Sequence, residues 1–353
     1  MNVNRRDAEQ DAQRLRTVFS KDNRFNFLGL VSFGAFGSAH HVRYVDNQRG
    51  TATDFLVKKA FSDSISEEAL QNERKYLRIF KGAMHLVQLI DIPANPLASS
   101  DLQWLVLEWL PNGTLGDFVT KAKEKGAERL PNRLLWRFFL CLIRACVGMA
   151  YPKGRTDDLL ELETLPRAPP GENYFQPKQF AHNDIDDTNV LLGDFLPYGE
   201  HGITPIVKFI DFGGTEDEEP DPETGETAVQ MNIREIGTLM AGIITFQRHL
   251  NLNFSTPITI KITGVDIQTR AGLLFPNFPD DPRPLAGLDE WLAGIIAMCL
   301  AVDPAMRPTL PQLVNWVLYY VRNSTAEVYN DPSETDAAIK DGCRRILFDA
   351  PTQ

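Results

Sequence analysis

The sequence predicts an α+β chain in two unequal parts, a small antiparallel β-rich part with one helix, then a larger α-helical part. Three observations predict it. From Phe25 to Leu110, short runs rich in β-branched and aromatic residues alternate with turn residues. From Pro131 the runs lengthen, beginning with "PNRLLWRFFLCLIRACVGMA", which is apolar almost all round, as a buried helix is. The change of character falls near "EWLPNG", residues 108–113.

Taken in order, residues 6–18 read as a polar, charged helix ahead of this body. The strands follow as "FNFLGLVSF", "SAHHVRYV", "TDFLVKKAF", "HLVQLIDI" and "LQWLVLEWL". One helix interrupts them from about Ile65 to Phe80, with Ser64 and Glu67 as a capping box and Leu70 and Leu77 on its apolar face. Beyond the Pro131 helix, helices are expected over Asn232–Phe246, Leu288–Val302 and Leu310–Val321. Residues 151–179 and 215–228, rich in Pro, Gly and acids, read as loops. The polar tail after Asn323 is expected to lie at the periphery. These boundaries divide the chain into an extension (1–22), a body (23–325, joined at 110/111) and a tail (326–353).

Composition narrows the function classes. A hydrophobic content of 43% and a charged content of 24% suit an ordinary soluble globular protein. A net charge of -11 without a Lys/Arg block argues against nucleic-acid binding. "NVNRRDAEQDAQRLR" is too polar for a secretory signal, and the most apolar stretch is interrupted by arginine, so no membrane partner is expected. Cys141, Cys146, Cys299 and Cys343 show no metal or redox spacing, which fits an intracellular protein, cytoplasmic or nuclear.

Three stretches carry chemistry. "SFGAFGSA" puts Gly34 and Gly37 in a turn between strands, where backbone approaching a phosphate favours glycine; taken alone, a plain hairpin turn with two glycines is the better reading. Lys58 lies within a strand, on the face of Leu56, and an edge-strand lysine is the bland reading. Glu73 shifts the balance: it falls on the apolar face of the following helix, between Leu70 and Leu77, and needs a cationic partner. The third stretch is "HNDIDDTN", followed at a distance by "VKFIDFGG". A carboxylate (Asp184) for a hydroxyl proton, with an amide (Asn189) and a second carboxylate (Asp211) for Mg²⁺, is the set that phosphoryl transfer needs. Two acidic turns capping strands would not explain the order Gly34, Lys58, Glu73, Asp184, Asn189, Asp211.

That order and its local contexts resemble the eukaryotic protein kinase fold over Phe25 to Val321, a bilobal fold with an N-lobe (23–110) and a C-lobe (111–325). "SFGAFGSA" resembles the glycine-rich loop, "LVLEWLPNGTL" the hinge, "HNDIDDTN" the catalytic loop and Asp211 to Gly213 the metal-binding motif. "CLAVDPAMRPTLPQL" is similar to the last conserved segment, which small-molecule phosphotransferases usually lack. The long insert before the catalytic loop is similar to divergent fungal kinase-like proteins. The resemblance implies ATP and Mg²⁺ as cofactors and a protein substrate. Lys58, fixed by Glu73, would grip the α- and β-phosphates, and Asn189 and Asp211 would hold Mg²⁺. Asp184 would take or orient the substrate hydroxyl. Adenine would meet Ala39, Leu56, Leu107 as gatekeeper, Glu108 to Leu110, and Leu191.

Departures from the pattern matter as much. Asn183 stands for the arginine that reads a phosphorylated activation loop, and Asn232 for the aspartate that opens helix F. Asp186 stands for the lysine that faces the γ-phosphate, and is expected to point there and slow transfer. No Ala-Pro-Glu motif follows Gly213, which leaves Arg307 without its usual glutamate partner. The acidic run "EDEEPDPETGE" suits basic substrates. The reading is a slow or atypical serine/threonine kinase. A nucleotide-binding pseudokinase acting as scaffold or allosteric partner and a small-molecule phosphotransferase are the alternatives.

Overall fold

The computed structural model describes residues 3–92, 95–98, 104–167, 176–197 and 199–348. Alternating side chains build its first sheet. Phe25–Phe33 (β1), Gly37–Asp46 (β2), Thr51–Ala60 (β3) and Trp104–Glu108 (β4) pair antiparallel in the order β1-β2-β3-β4. One face presents Phe25, Val42, Phe55, Val57, Trp104 and Val106, buried together with Leu15 and Phe19 of Val3–Phe19 (α1). Ala8, Asp11, Leu15 and Phe19 share one side of α1, so the helix read as polar is amphipathic. Fully burying Leu15 and Phe19 contributes roughly 1.5–3 kcal/mol each. Asp11 is buried on the same side because it meets the ammonium of Lys59 at 3.1 Å.

The opposite face carries Leu105 and Leu107 against Ser64–Ile79 (α2), whose Leu70, Tyr76 and Leu77 are buried with them. The expected capping box at Ser64 and Glu67 is corrected. Ser64 is already helical, and Asp63 is the extended residue whose carboxylate accepts from the Ser66 amide at 2.9 Å.

"HLVQLIDI" also departs from expectation, because it joins no continuous ladder. Its backbone bonds are split between β4 (Ile90 to Val106, 2.9 Å) and Phe209 (Val87, 2.9 Å). The Gln88 amide takes the carbonyls of Ala83 and Leu86. Side-chain bonds thus replace the regular pairing a strand would need.

The second part is organised around Asn132–Ala150 (α4), preceded by Leu115–Glu124 (α3) and buried along nearly its whole length. Between Phe180–Ala181 (β5) and Val190–Leu192 (β6) lies the loop with the three aspartates. Val207–Phe209 (β7) pairs with β6, and Glu216–Asp217 (β8) pairs with β5, inside a segment read as loop. Ala228–Thr245 (α5) starts four residues earlier than expected, behind a Thr227/Gln230 capping box. A hairpin of Ile258–Ile262 (β9) and Val265–Thr269 (β10), which no strand expectation covered, precedes Glu290–Cys299 (α6) and Leu310–Asn323 (α7).

The tail is not peripheral. After Ala326–Tyr329 (α8), the fully buried Glu334 accepts from the amides of Asn132 (2.6 Å) and Arg133 (2.9 Å). The cap position of α4 is Pro131, which has no side-chain acceptor, so a carboxylate from the tail satisfies the open helix end. Ile339 and Cys343 of Asp336–Phe348 (α9) then join the main core. Among the described residues no helix is long and apolar enough to cross a membrane.

Candidate active site

β3 is an interior strand, with Lys58 facing Ala39 of β2 and Leu105 of β4 across the ladders, so the edge-strand reading falls. Period-two alternation puts the Lys58 side chain on the α2 side of the sheet. There Glu73, 1% exposed, meets its ammonium at 2.7 Å, and Asp211 meets it at 2.8 Å. Burial works against the Lys58 cation, but these two carboxylates outweigh it and hold its pKa above the ordinary value. Burial also pushes the Glu73 carboxyl up, against the pull of Lys58. Asp211 is left-handed (φ 62°), and its carboxyl sits below the usual range because Lys58 overcomes the burial penalty. Phe212 is fully buried against Phe80 and His182, which anchors the turn that aims Asp211.

The three aspartates of the loop between β5 and β6 have three different partners. Asp184 accepts from the side-chain amide of Asn189 at 2.6 Å. Burial raises its pKa, and the charge of Asp186 raises it further. Asp187 accepts from the Arg248 guanidinium at 2.7 Å and from the His249 backbone at 3.1 Å. Asp186 turns one carboxylate oxygen back onto its own loop. Its Oδ1 accepts from the Thr188 amide (2.7 Å), the Thr188 hydroxyl (2.6 Å) and the Asn189 amide (3.0 Å). It holds the turn that presents Asn189, a role that a lysine with no acceptor cannot fill.

Asn232 serves the same loop from α5. It accepts from the His182 amide (3.0 Å) and donates to the Phe180 carbonyl (2.8 Å), and His182 bonds the Ile210 carbonyl through Nε2 (3.0 Å). The strand before Asp211 and the loop bearing Asp184 are therefore tied together. Asn183 donates to Glu218 (2.8 Å) and to the Gly214 carbonyl (3.2 Å), so an acidic side chain of the 215–228 segment occupies it.

In the glycine-rich turn the two glycines differ. A Cβ on Gly37 would lie 2.2 Å from the Lys59 carbonyl, so that glycine is required by strand packing. A Cβ on Gly34 meets nothing, which leaves open space above the turn; its amide donates to Gly37 (2.9 Å). Leu56 faces Leu107 across β3 and β4, Leu107 and Leu110 are buried, and Leu191 is half-buried on β6. The Glu108 carboxylate is committed to Lys208 at 2.6 Å and the Gln88 amide at 3.0 Å.

Arg307 does have a glutamate. Its guanidinium pairs with Glu226, which also takes Arg234 at 2.9 Å. Sequence reasoning missed Glu226 because it looked for a motif; an acid directly before the capped helix at Thr227 was the available signal. Compared with known protein families, residues 26–234 match the protein tyrosine and serine/threonine kinase family. The matched stretch holds every element from the glycine-rich turn to the start of α5, and the chain belongs to the protein kinase family.

Proposed function

We propose that this chain transfers the γ-phosphoryl group of ATP to a serine or threonine hydroxyl of a protein, slowly by the standard of its family. The observation that carries the reading is Lys58 in simultaneous contact with Glu73 at 2.7 Å and Asp211 at 2.8 Å. Phosphoryl transfer depends on that ion pair and carboxylate being in place together. Lys58 binds the α- and β-phosphates, and Glu73 fixes its position. Asp184, held by Asn189, orients the acceptor hydroxyl and takes its proton. The carbonyl oxygen of Asn189 and the carboxylate of Asp211 are the hard oxygen ligands that Mg²⁺ takes. When bound, Mg²⁺ neutralises charge on the phosphates. The adenine ring is assigned to the apolar surfaces of Ala39, Leu56, Leu107, Leu110 and Leu191, with Glu108 to Leu110 as the connecting backbone. The exposed acids of residues 216–226 favour a basic protein substrate. Four unpaired, buried cysteines support a cytoplasmic or nuclear setting.

One observation favours a second reading, a nucleotide-binding pseudokinase. Asp186 adds negative charge beside Asp184, where the family carries a lysine. The two readings separate in one series. Mg·ATP is expected to raise the melting temperature of the wild type and not of Lys58→Met, and radiolabelled ATP then reports transfer to a basic protein. Absence of any thermal shift at millimolar Mg·ATP refutes the nucleotide site; a shift without transfer selects the pseudokinase.

A further inference from the structure

Away from the nucleotide cleft, three metal-ligating side chains from distant parts of the chain converge in the interior. They are His85 from the segment before β4, Cys141 from the middle of α4, and His201 from the short 3-10 turn Gly199–His201. All three are at most 2% exposed. One ligand atom from each side chain lies within 4.8 Å of the other two. The Nε2 atoms of His85 and His201 are 3.2 Å apart, and the Cys141 sulfur rests 3.8 Å from the other nitrogen of His201, Nδ1, from which it must turn to reach an ion held by the two Nε2 atoms.

We propose that His85, Cys141 and His201 form a buried structural site for zinc. A tetrahedral ion with metal–nitrogen bonds of about 2.0–2.1 Å separates two imidazole nitrogens by roughly 3.3 Å, close to the spacing of the two Nε2 atoms. One thiolate and two imidazoles are a donor set that suits zinc. Three protein ligands leave the fourth position to a small ligand such as water.

The surroundings supply what such a site needs. Glu163 accepts from the His85 ring at Nδ1 (2.6 Å) and from the His85 backbone amide (2.7 Å). That pins the ring and directs Nε2 toward the other ligands, the carboxylate–histidine arrangement that supports metal-bound imidazoles. Arg144 holds Glu163 through its backbone carbonyl and holds Glu200, next to His201, at 2.6 Å.

Charge closes as well. Zinc binds a thiolate and neutral imidazoles, so loading the site releases the protons that those groups carry. The charges of Zn²⁺, the thiolate and Glu163 then sum to zero, which suits a buried site.

The site would clamp the segment before β4, α4 and the β6–β7 connection, with the 151–179 segment tied to it through Glu163. Full-length protein purified without chelator is expected to carry one zinc per chain. Removing the zinc should lower the melting temperature, and adding it back should restore it. Cobalt substitution should give a thiolate-to-cobalt charge-transfer band that is lost in Cys141→Ser and kept in Cys146→Ser, a buried cysteine of the same helix outside the cluster. Should Cys141→Ser fail to fold, X-ray absorption of the wild-type zinc decides instead, with one sulfur and two nitrogen ligands expected. The proposal is overturned if excess Zn²⁺ leaves the melting temperature unchanged and cobalt gives no band. A band that survives in Cys141→Ser, or a zinc shell without sulfur, overturns it equally.

Discussion

Replacing Asp186 separates its two effects, because one substitution removes only the charge and another removes the acceptor as well. Through Oδ1 the side chain accepts three hydrogen bonds, from the Thr188 amide and hydroxyl and the Asn189 amide. A buried hydrogen bond to a charged group contributes roughly 1.5–3 kcal/mol, but water reaches this half-buried loop and can serve the released donors. Discounted to about 0.7 kcal/mol each, the three bonds sum to about 2 kcal/mol, the loss expected for Asp186→Lys. Asparagine keeps a carbonyl acceptor and is as good as aspartate in such capping roles, so Asp186→Asn should stay within about 0.5 kcal/mol of the wild type. It also removes a charge that disfavours ionised Asp184 and repels phosphate. A gain of about 1 kcal/mol in the transition state, roughly fivefold in rate, is expected after screening. Urea unfolding measures the first effect, and single-turnover transfer at saturating Mg·ATP measures the second. A lysine variant as stable as the wild type would refute the turn-holding role. An asparagine variant that is slower, or destabilised by well over 1 kcal/mol, would show that the charge itself is needed.

Two further outcomes follow from buried charges outside the cleft. Glu226→Ala strands Arg307, whose side chain is 4% exposed, and should cost about 3 kcal/mol; a double-mutant cycle with Arg307→Ala should return a coupling above about 1 kcal/mol, and additive losses would contradict the pairing. Burial raises the Glu235 carboxyl to about 7, above its ordinary 4.5. A raised folded-state pKa gives stability that is full below the unfolded pKa and is lost as pH rises through the folded one. Stability should therefore fall by about 2 kcal/mol between pH 5 and pH 8 on account of this group. Glu235→Gln should flatten that part of the urea-midpoint profile, and an unchanged slope would count against the burial argument.

Much of the fold could be read along the chain because its causes are local. β2 and β3 alternate buried with half-buried side chains over much of their length, and α4 is apolar almost all round, so both patterns show within ten or twenty residues. Glu73 was legible for the same reason: a carboxylate on an apolar helix face requires a cation, and Lys58 stood in the preceding strand. Where satisfaction of a polar group depended on distant chain, periodicity had nothing to say. It was silent on turns as well: Asp186 looked like a misplaced charge, although its partners are amides two and three residues along its own loop. Arg307 looked unpaired until folding brought Glu226 to it, and a polar tail looked peripheral until Glu334 reached the open end of α4. Local sequence sets which faces are apolar, and so which elements form. Which buried donors remain unmet after they pack, and which distant carboxylate or imidazole meets them, is settled only in three dimensions.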